Sequence, residues 1–252
     1  MNGQYCSLKI WCVIVMQIVL HHGVFCMTQS YDSLMYFAEN GAAESITPTL
    51  IAEECKKQDI HGQTALIKAA SKGHFACVKL LANEEYGFQD NKGRTALIHA
   101  VRYGSNSCVR ELVALEFYQK DYDGRTALME AASRGNVDCV RILLEYEKGM
   151  LDDANNTALM LAARYGCIDC VRLLCEKEAG MQNVSGMSAL MYAVLFDHID
   201  IVQFLAPIEH HLCDKKQHTA LSYAKQIREQ QSIDILQAYQ SDSQIDGSPA
   251  QI

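Results

Sequence analysis

The sequence predicts an all-α fold, a solenoid of helix-turn-helix repeats with short hairpin turns, a period of 31 residues and about seven units. Three observations carry this. One phrase recurs six times at that spacing: Thr64-Ala65-Leu66, Thr95-Ala96-Leu97, Thr126-Ala127-Leu128, Thr157-Ala158-Leu159, Ser188-Ala189-Leu190 and Thr219-Ala220-Leu221. A turn signal precedes each copy, and an apolar Val-Leu pair follows it at constant phase. A fixed period of this length marks units that pack only on their neighbours. Such a stack has no natural deep pocket, and binding along an extended surface is its default work.

The turn comes first. Five residues before each cap stands Asp59, Asp90, Asp121, Asp152, Asn183 or Asp214, and two before it Gly62, Gly93, Gly124, Asn155, Gly186 or Gln217. Asp and Asn hold turns through their side chains, while Gly and Asn supply a positive φ. The Thr or Ser hydroxyl then acts as an N-cap for the first helix. Five residues on, Ala69, Ala100, Ala131, Ala162, Ala193 and Ala224 let neighbouring helices approach closely. Nine past the cap, Gly73, Gly104, Gly135 and Gly166 suit a left-handed helix end. Asp197 and Arg228 replace them in the last two copies. The second helix carries Val78, Val109, Val140, Val171 and Val202. On the same face, three residues later, come Leu81, Leu112, Leu143, Leu174 and Leu205. Pro207 should end or bend its helix.

The pattern Asp-x-x-Gly-x-Thr-Ala-Leu-x-x-Ala-Ala-x-x-Gly-x-x-x-x-Val-x-x-Leu, clearest from Asp121 to Leu144, resembles the ankyrin repeat and covers roughly residues 31–240. The Thr-Ala-Leu-Met style with a Cys in the second helix is similar to the Cys-bearing ankyrin arrays of diplomonad protists. The chain departs from the family in lacking Pro after the cap and in a period of 31 rather than 33. On this reading the array occupies residues 27–240. A divergent cap spans 31–58, repeats span 59–89, 90–120, 121–151, 152–182 and 183–213, and a C-terminal cap spans 214–240. Ser33 to Gly41 aligns with the first helix of later units, and residues 241–252 are expected to be disordered.

Residues 1–26 stand apart. The 11-residue apolar run Ile10–Leu20 is too short to span a bilayer. It has the length of a signal-peptide core without a good cleavage site. An extension preceding a true start at Met27, a weak anchor and a cleaved signal all remain open.

A net charge of −8 disfavours nucleic acid as the main partner. The eleven Cys invite a disulfide framework, which the period rejects. Cys77, Cys108, Cys139 and Cys170 share one phase, and Ile201 takes the same slot in the next copy. A slot shared by Cys and Ile is apolar and buried. Equivalent atoms of stacked helices lie roughly 10 Å apart, beyond the reach of about 7 Å that a disulfide allows. The thiols therefore point to a reduced, cytoplasmic protein.

Cys167-x-x-Cys170 with Cys175 offers metal-like spacing but no second pair, so these residues are structural thiols and no metal or cofactor is expected. No His, Asp and Ser share a phase that suggests a triad. No phosphate-binding glycine loop and no kinase motif is present. The chain is not expected to be an enzyme.

What remains is the set of positions the scaffold leaves free. The resemblance implies that turn tips and the exposed flank of the first helices line a concave face that takes the partner. Mapped onto this chain, that face offers Arg94, Arg102, Tyr103, Tyr122, Asp123, Arg125, Arg134, Arg164, Tyr165, Met187, Tyr192 and Phe196. Arg and Tyr are enriched among interface hot spots, although a solvated face also carries long polar side chains. The expectation is a monomeric interaction module or scaffold that binds another protein, through an acidic or phosphorylated segment, and not a nucleic acid or a membrane. A membrane-tethered or secreted array using the Ile10–Leu20 segment is the alternative.

Overall fold

The computed structural model describes residues 33–245. These form fourteen α-helices and one short 3-10 helix, Ala43–Ser45. The first helices of the successive units are Leu34–Asn40, Ala65–Lys72, Ala96–Tyr103, Ala127–Arg134, Ala158–Arg164, Ala189–Leu195 and Ala220–Ile227. Their second helices are Pro48–Glu54, Phe75–Glu85, Asn106–Glu116, Val137–Glu147, Ile168–Glu178, Ile199–Glu209 and Gln230–Ile245. First helices pack on first helices of neighbouring units, and second helices from Phe75–Glu85 onward do the same, in sequence order. The apolar run Ile10–Leu20 and the rest of residues 1–26, expected as an extension, an anchor or a signal, lie outside the described residues. Among the described residues, no helix is long and apolar enough to cross a membrane.

Each predicted signal does its local work. Thr64, Thr95, Thr126, Thr157, Ser188 and Thr219 are N-caps whose hydroxyls accept from the backbone N–H three residues on. Ser33 does the same upstream, and Gly41 ends that helix left-handed. In each turn one side-chain oxygen, from Asp or from Asn183, accepts from two amides. Asp90 Oδ1, for example, takes the N–H of Lys92 at 2.8 Å and of Arg94 at 2.9 Å. The tips then join unit to unit, with Asn91 N donating to His61 O at 2.9 Å and Val184 N to Ala154 O at 3.0 Å. The Ala column is fully buried, as are the Val and Leu columns of the second helices. Cys77, Cys108, Cys139 and Cys170 are free thiols no more than 1% exposed, beside Ile201 at 0%. Burial pushes the Cys170 thiol up to about 12 and that of Cys139 up to about 11.

Two expectations need correction. Pro207 neither ends nor shortens its helix, which runs from Ile199 to Glu209 like its counterparts. It sits exposed in the last turn, where one missing amide costs little. The final helix continues to Ile245, into the segment expected to be disordered. No Gly or Pro interrupts it before Gly247.

The structure adds one column that the sequence reading overlooked. Glu54, Glu85, Glu116, Glu147, Glu178 and Glu209 recur every 31 residues at the end of the second helices. From Glu85 onward each is 1% exposed. One oxygen of each accepts from the second amide of the first helix in its own unit: Glu85 from Leu66 at 2.7 Å, Glu116 from Leu97 at 2.6 Å, Glu178 from Leu159 at 2.7 Å. In all but Glu147 the other oxygen accepts from an amide of the preceding unit, as Glu116 does from Gly87 N at 3.0 Å and Glu178 from Gly149 N at 3.0 Å. Amides that a helix start leaves unpaired are thus satisfied by a carboxylate that also favours the positive end of the helix dipole. The signal was a charge on an apolar face, four residues beyond each core Leu of that helix.

Candidate functional site

The scaffold consumes the interior and leaves a front made of hairpin tips and the ends of the first helices. Eight residues past each cap the front presents Lys72, Tyr103, Arg134, Tyr165, Phe196 and Ile227 in register, all exposed. The first tip residues are Ile60, Asn91, Tyr122, Asp153, Val184 and Lys215, also exposed. Two tyrosines lie against the preceding unit. A Cβ added to Gly73 would meet Tyr103 Cε1 at 2.3 Å, and one added to Gly93 would meet Tyr122 Cδ1 at 2.4 Å. The rings are therefore seated over glycines that give them room, while remaining 59% and 69% exposed.

The arginines fall into three groups. Arg94 is spent on its own turn, where Nε and Nη2 donate to Asp90 Oδ2 at 2.9 and 2.6 Å. His99 Nε2 meets the same oxygen at 3.0 Å. Burial pushes the Asp90 carboxyl up, but the Arg94 guanidinium, the Arg94 and Lys92 amides and His99 outweigh it and hold it at about 2. Arg102 and Arg134 converge on one carboxylate oxygen, Glu130 Oε1, at 2.7 and 2.6 Å. Among the described residues no carboxylate forms an ion pair with Arg164. Its guanidinium carbon lies 5.8 Å from the Tyr165 ring centroid and 5.2 Å from that of Phe196, stacking distances for a cation on aromatic faces. Arg125 is half-buried at the turn, and its amide donates to Asp121 Oδ1 at 2.8 Å. Asp123 is exposed at the tip, and its amide donates to Asp121 Oδ1 at 3.0 Å.

Two expected front residues belong to the interior. Met187 is only 9% exposed. Its counterparts Gln63, Arg94 and Arg125 are half-buried and Asn156 is buried. An apolar thioether at that position has no polar partner to reach for. Tyr192 is half-buried in a polar network: its hydroxyl donates to Asn156 Oδ1 at 3.1 Å and accepts from Asn183 Nδ2 at 2.9 Å. Its position, four past the cap, is the column that reaches back to the turn residue, as Lys68 reaches Asp59, His99 reaches Asp90 and Tyr223 reaches Asp214. Leu195, beside Phe196, is exposed and extends the apolar part of the front.

Among the described residues no group of three or more His, Cys, Asp or Glu is placed to hold a metal ion. A pocket of about 300 Å³ lies between Gly104, Asn106, Gly135, Asn136, Asp138 and Cys139. The Cys139 thiol in its lining donates to Asn106 Oδ1 at 3.3 Å, and burial pushes it up to about 11.

Known proteins place this geometry. The family model for ankyrin repeats in three copies matches residues 34–121 and again 114–183, and the single ankyrin repeat model matches residues 185–214. Among solved structures, the chain is similar to the ankyrin repeat domain of Bcl-3, described as a unique member of the IkappaB protein family. The identity is 25% and the TM-score 0.70, with 81% of this chain and 97% of that chain covered. It is also similar in fold to EF0377, an ankyrin repeat protein, at 23% identity and a TM-score of 0.61, with 71% and 98% covered. No functionally curated protein matches the chain.

Proposed function

Because this chain belongs to the ankyrin repeat family, whose fold is typically a non-enzymatic interaction module, we propose that it is a scaffold that binds another protein along its front. That front is the concave face of the array. The observation that carries the reading is the contrast between columns. Most interior positions repeat one residue type or a close substitute from unit to unit, while the exposed position eight past the cap runs through Lys72, Tyr103, Arg134, Tyr165, Phe196 and Ile227. Exposed aromatic rings interleaved with guanidinium groups are the composition of an interface centre. Arg125 and Arg164, which no carboxylate side chain holds through a hydrogen bond, supply charge for an acidic segment of the partner. The chain acts as a monomer within the cytoplasm, in keeping with its buried, unpaired thiols.

The test is affinity capture with the array as bait, comparing the natural protein with an Arg125→Glu, Arg164→Glu double variant of unchanged circular dichroism. The reading expects the partner set to be depleted by charge reversal. Equal recovery with both baits would remove the front from consideration.

A further inference from the structure

We infer that Arg102 and Arg134 form a built receptor for a phosphate monoester, so that the partner segment is phosphorylated where it crosses the central units; this rests on the front-face reading above. The starting point is Glu130, which the scaffold does not explain. Its column reaches back to the turn residue of its own unit through Lys68, His99, Tyr192 and Tyr223. Glu130 would there meet Asp121, a second carboxylate, and two anions do not hold each other. Glu130 is nonetheless only 7% exposed. It turns instead to two guanidinium groups from adjacent units, both on Oε1.

The charge count favours a further anion. Two cations share one carboxylate, so one positive charge is left over at a point where the guanidiniums also repel each other. Each guanidinium carries about five N–H donors, and each gives one to Glu130. Both arginines stand in the last turn of their helices, where the dipole favours cations. Their side chains are 36% and 39% exposed, so the unused donors face solvent. Glu130 thus gathers and orients the pair from below. A phosphate carries about −1.5 to −2 charge with three acceptor oxygens and accepts bidentate Arg forks. A single carboxylate would occupy one fork and leave the second unfilled. The Tyr103 ring, next in sequence to Arg102 and seated over Gly73, provides an exposed plate for the residues flanking the phosphate.

The experiment uses the full chain and three fluorescent peptide pools with degenerate flanks and a fixed central phosphoserine, glutamate or serine. Anisotropy at physiological salt is expected to show the phosphoserine pool binding about tenfold tighter than the glutamate pool. An Arg102→Lys, Arg134→Lys variant keeps both charges but loses the planar forks, and is expected to bring the phosphoserine pool down to the glutamate level. Free inorganic phosphate is expected to compete with the phosphoserine pool and not with the serine pool. Equal binding of the phosphoserine and glutamate pools, an unchanged double-lysine variant of native circular dichroism, or no binding by any pool overturns the inference. If Arg125→Glu, Arg164→Glu still depletes captured partners in any of those cases, the front-face reading stands and only the phosphate receptor falls. If that charge reversal has no effect either, both fall.

Discussion

The interior and the front of this array are built from the same fourteen helices and obey opposite rules. In the interior most columns hold one residue type or a close substitute: the caps, the Ala and Leu columns, the thiol slot and the buried glutamates. On the front, equivalent positions change from unit to unit. The difference shows which side chains the stack itself requires. A buried atom must fit two neighbouring units at once, and a change there is felt at close packing. A front residue meets water or a partner, so its type is free to be set by recognition.

That contrast can be broken in order of expected effect. Replacing a core leucine, Leu143→Ala, should cost about 3 kcal/mol in urea unfolding, and captured partners should be unchanged once the array is folded. A loss below about 1 kcal/mol would mean that units relax independently rather than sharing a core. Glu178→Ala strips two backbone amides of their acceptor and should cost about 2 kcal/mol. An effect no larger than that of a surface change would reduce the glutamate column to decoration.

Glu147 provides a pH test of the same column. Its Oε1 is buried without a hydrogen-bond partner of good geometry; the amide that favours its charged form there is that of Tyr118, where Glu116, Glu178 and Glu209 each bond a glycine amide. Tyr118 itself sits at φ 69, a conformation glycine takes more easily. Burial raises the Glu147 carboxyl from its ordinary 4.5 to about 6. The folded value is the higher one, so the native state holds this proton more tightly than the unfolded chain. The group's contribution is full below about pH 4.5 and is lost as pH rises through about 6, a change of about 2 kcal/mol. Burial raises Glu116 and Glu178 as well, with the same sign. Stability measured at pH 4 and pH 7.5 should therefore fall more for the natural protein than for Glu147→Gln. Identical differences for the two proteins would assign the titration elsewhere.

Two smaller effects complete the series. Thr126→Ala removes a cap whose hydroxyl accepts from Met129 N and should cost about 1 kcal/mol. Arg164→Ala loses stacking on Tyr165 and Phe196 and should change stability by only about 0.5 kcal/mol. Its effect is expected in partner capture instead. A large loss of stability from Arg164→Ala would erase the boundary between the two regions.

The sequence by itself determined the all-helical solenoid, the phase of its units, the caps, the turn carboxylates and the burial of the thiol column. These rest on contacts within about ten residues, and sixfold repetition makes such short-range signals stand out. Only the tertiary structure decided what the glutamates do, since Glu116, like most of its column, joins amides 19 and 29 residues away. It also decided which arginines are already occupied. Arg94 is spent at short range within its own turn, Arg102 meets Glu130 28 residues on, and Met187 lies inside where the spacing placed it outside. A repeating chain displays its local chemistry once per unit. The partner that a charged side chain finds is chosen across the gap between units, and one linear period does not record that choice.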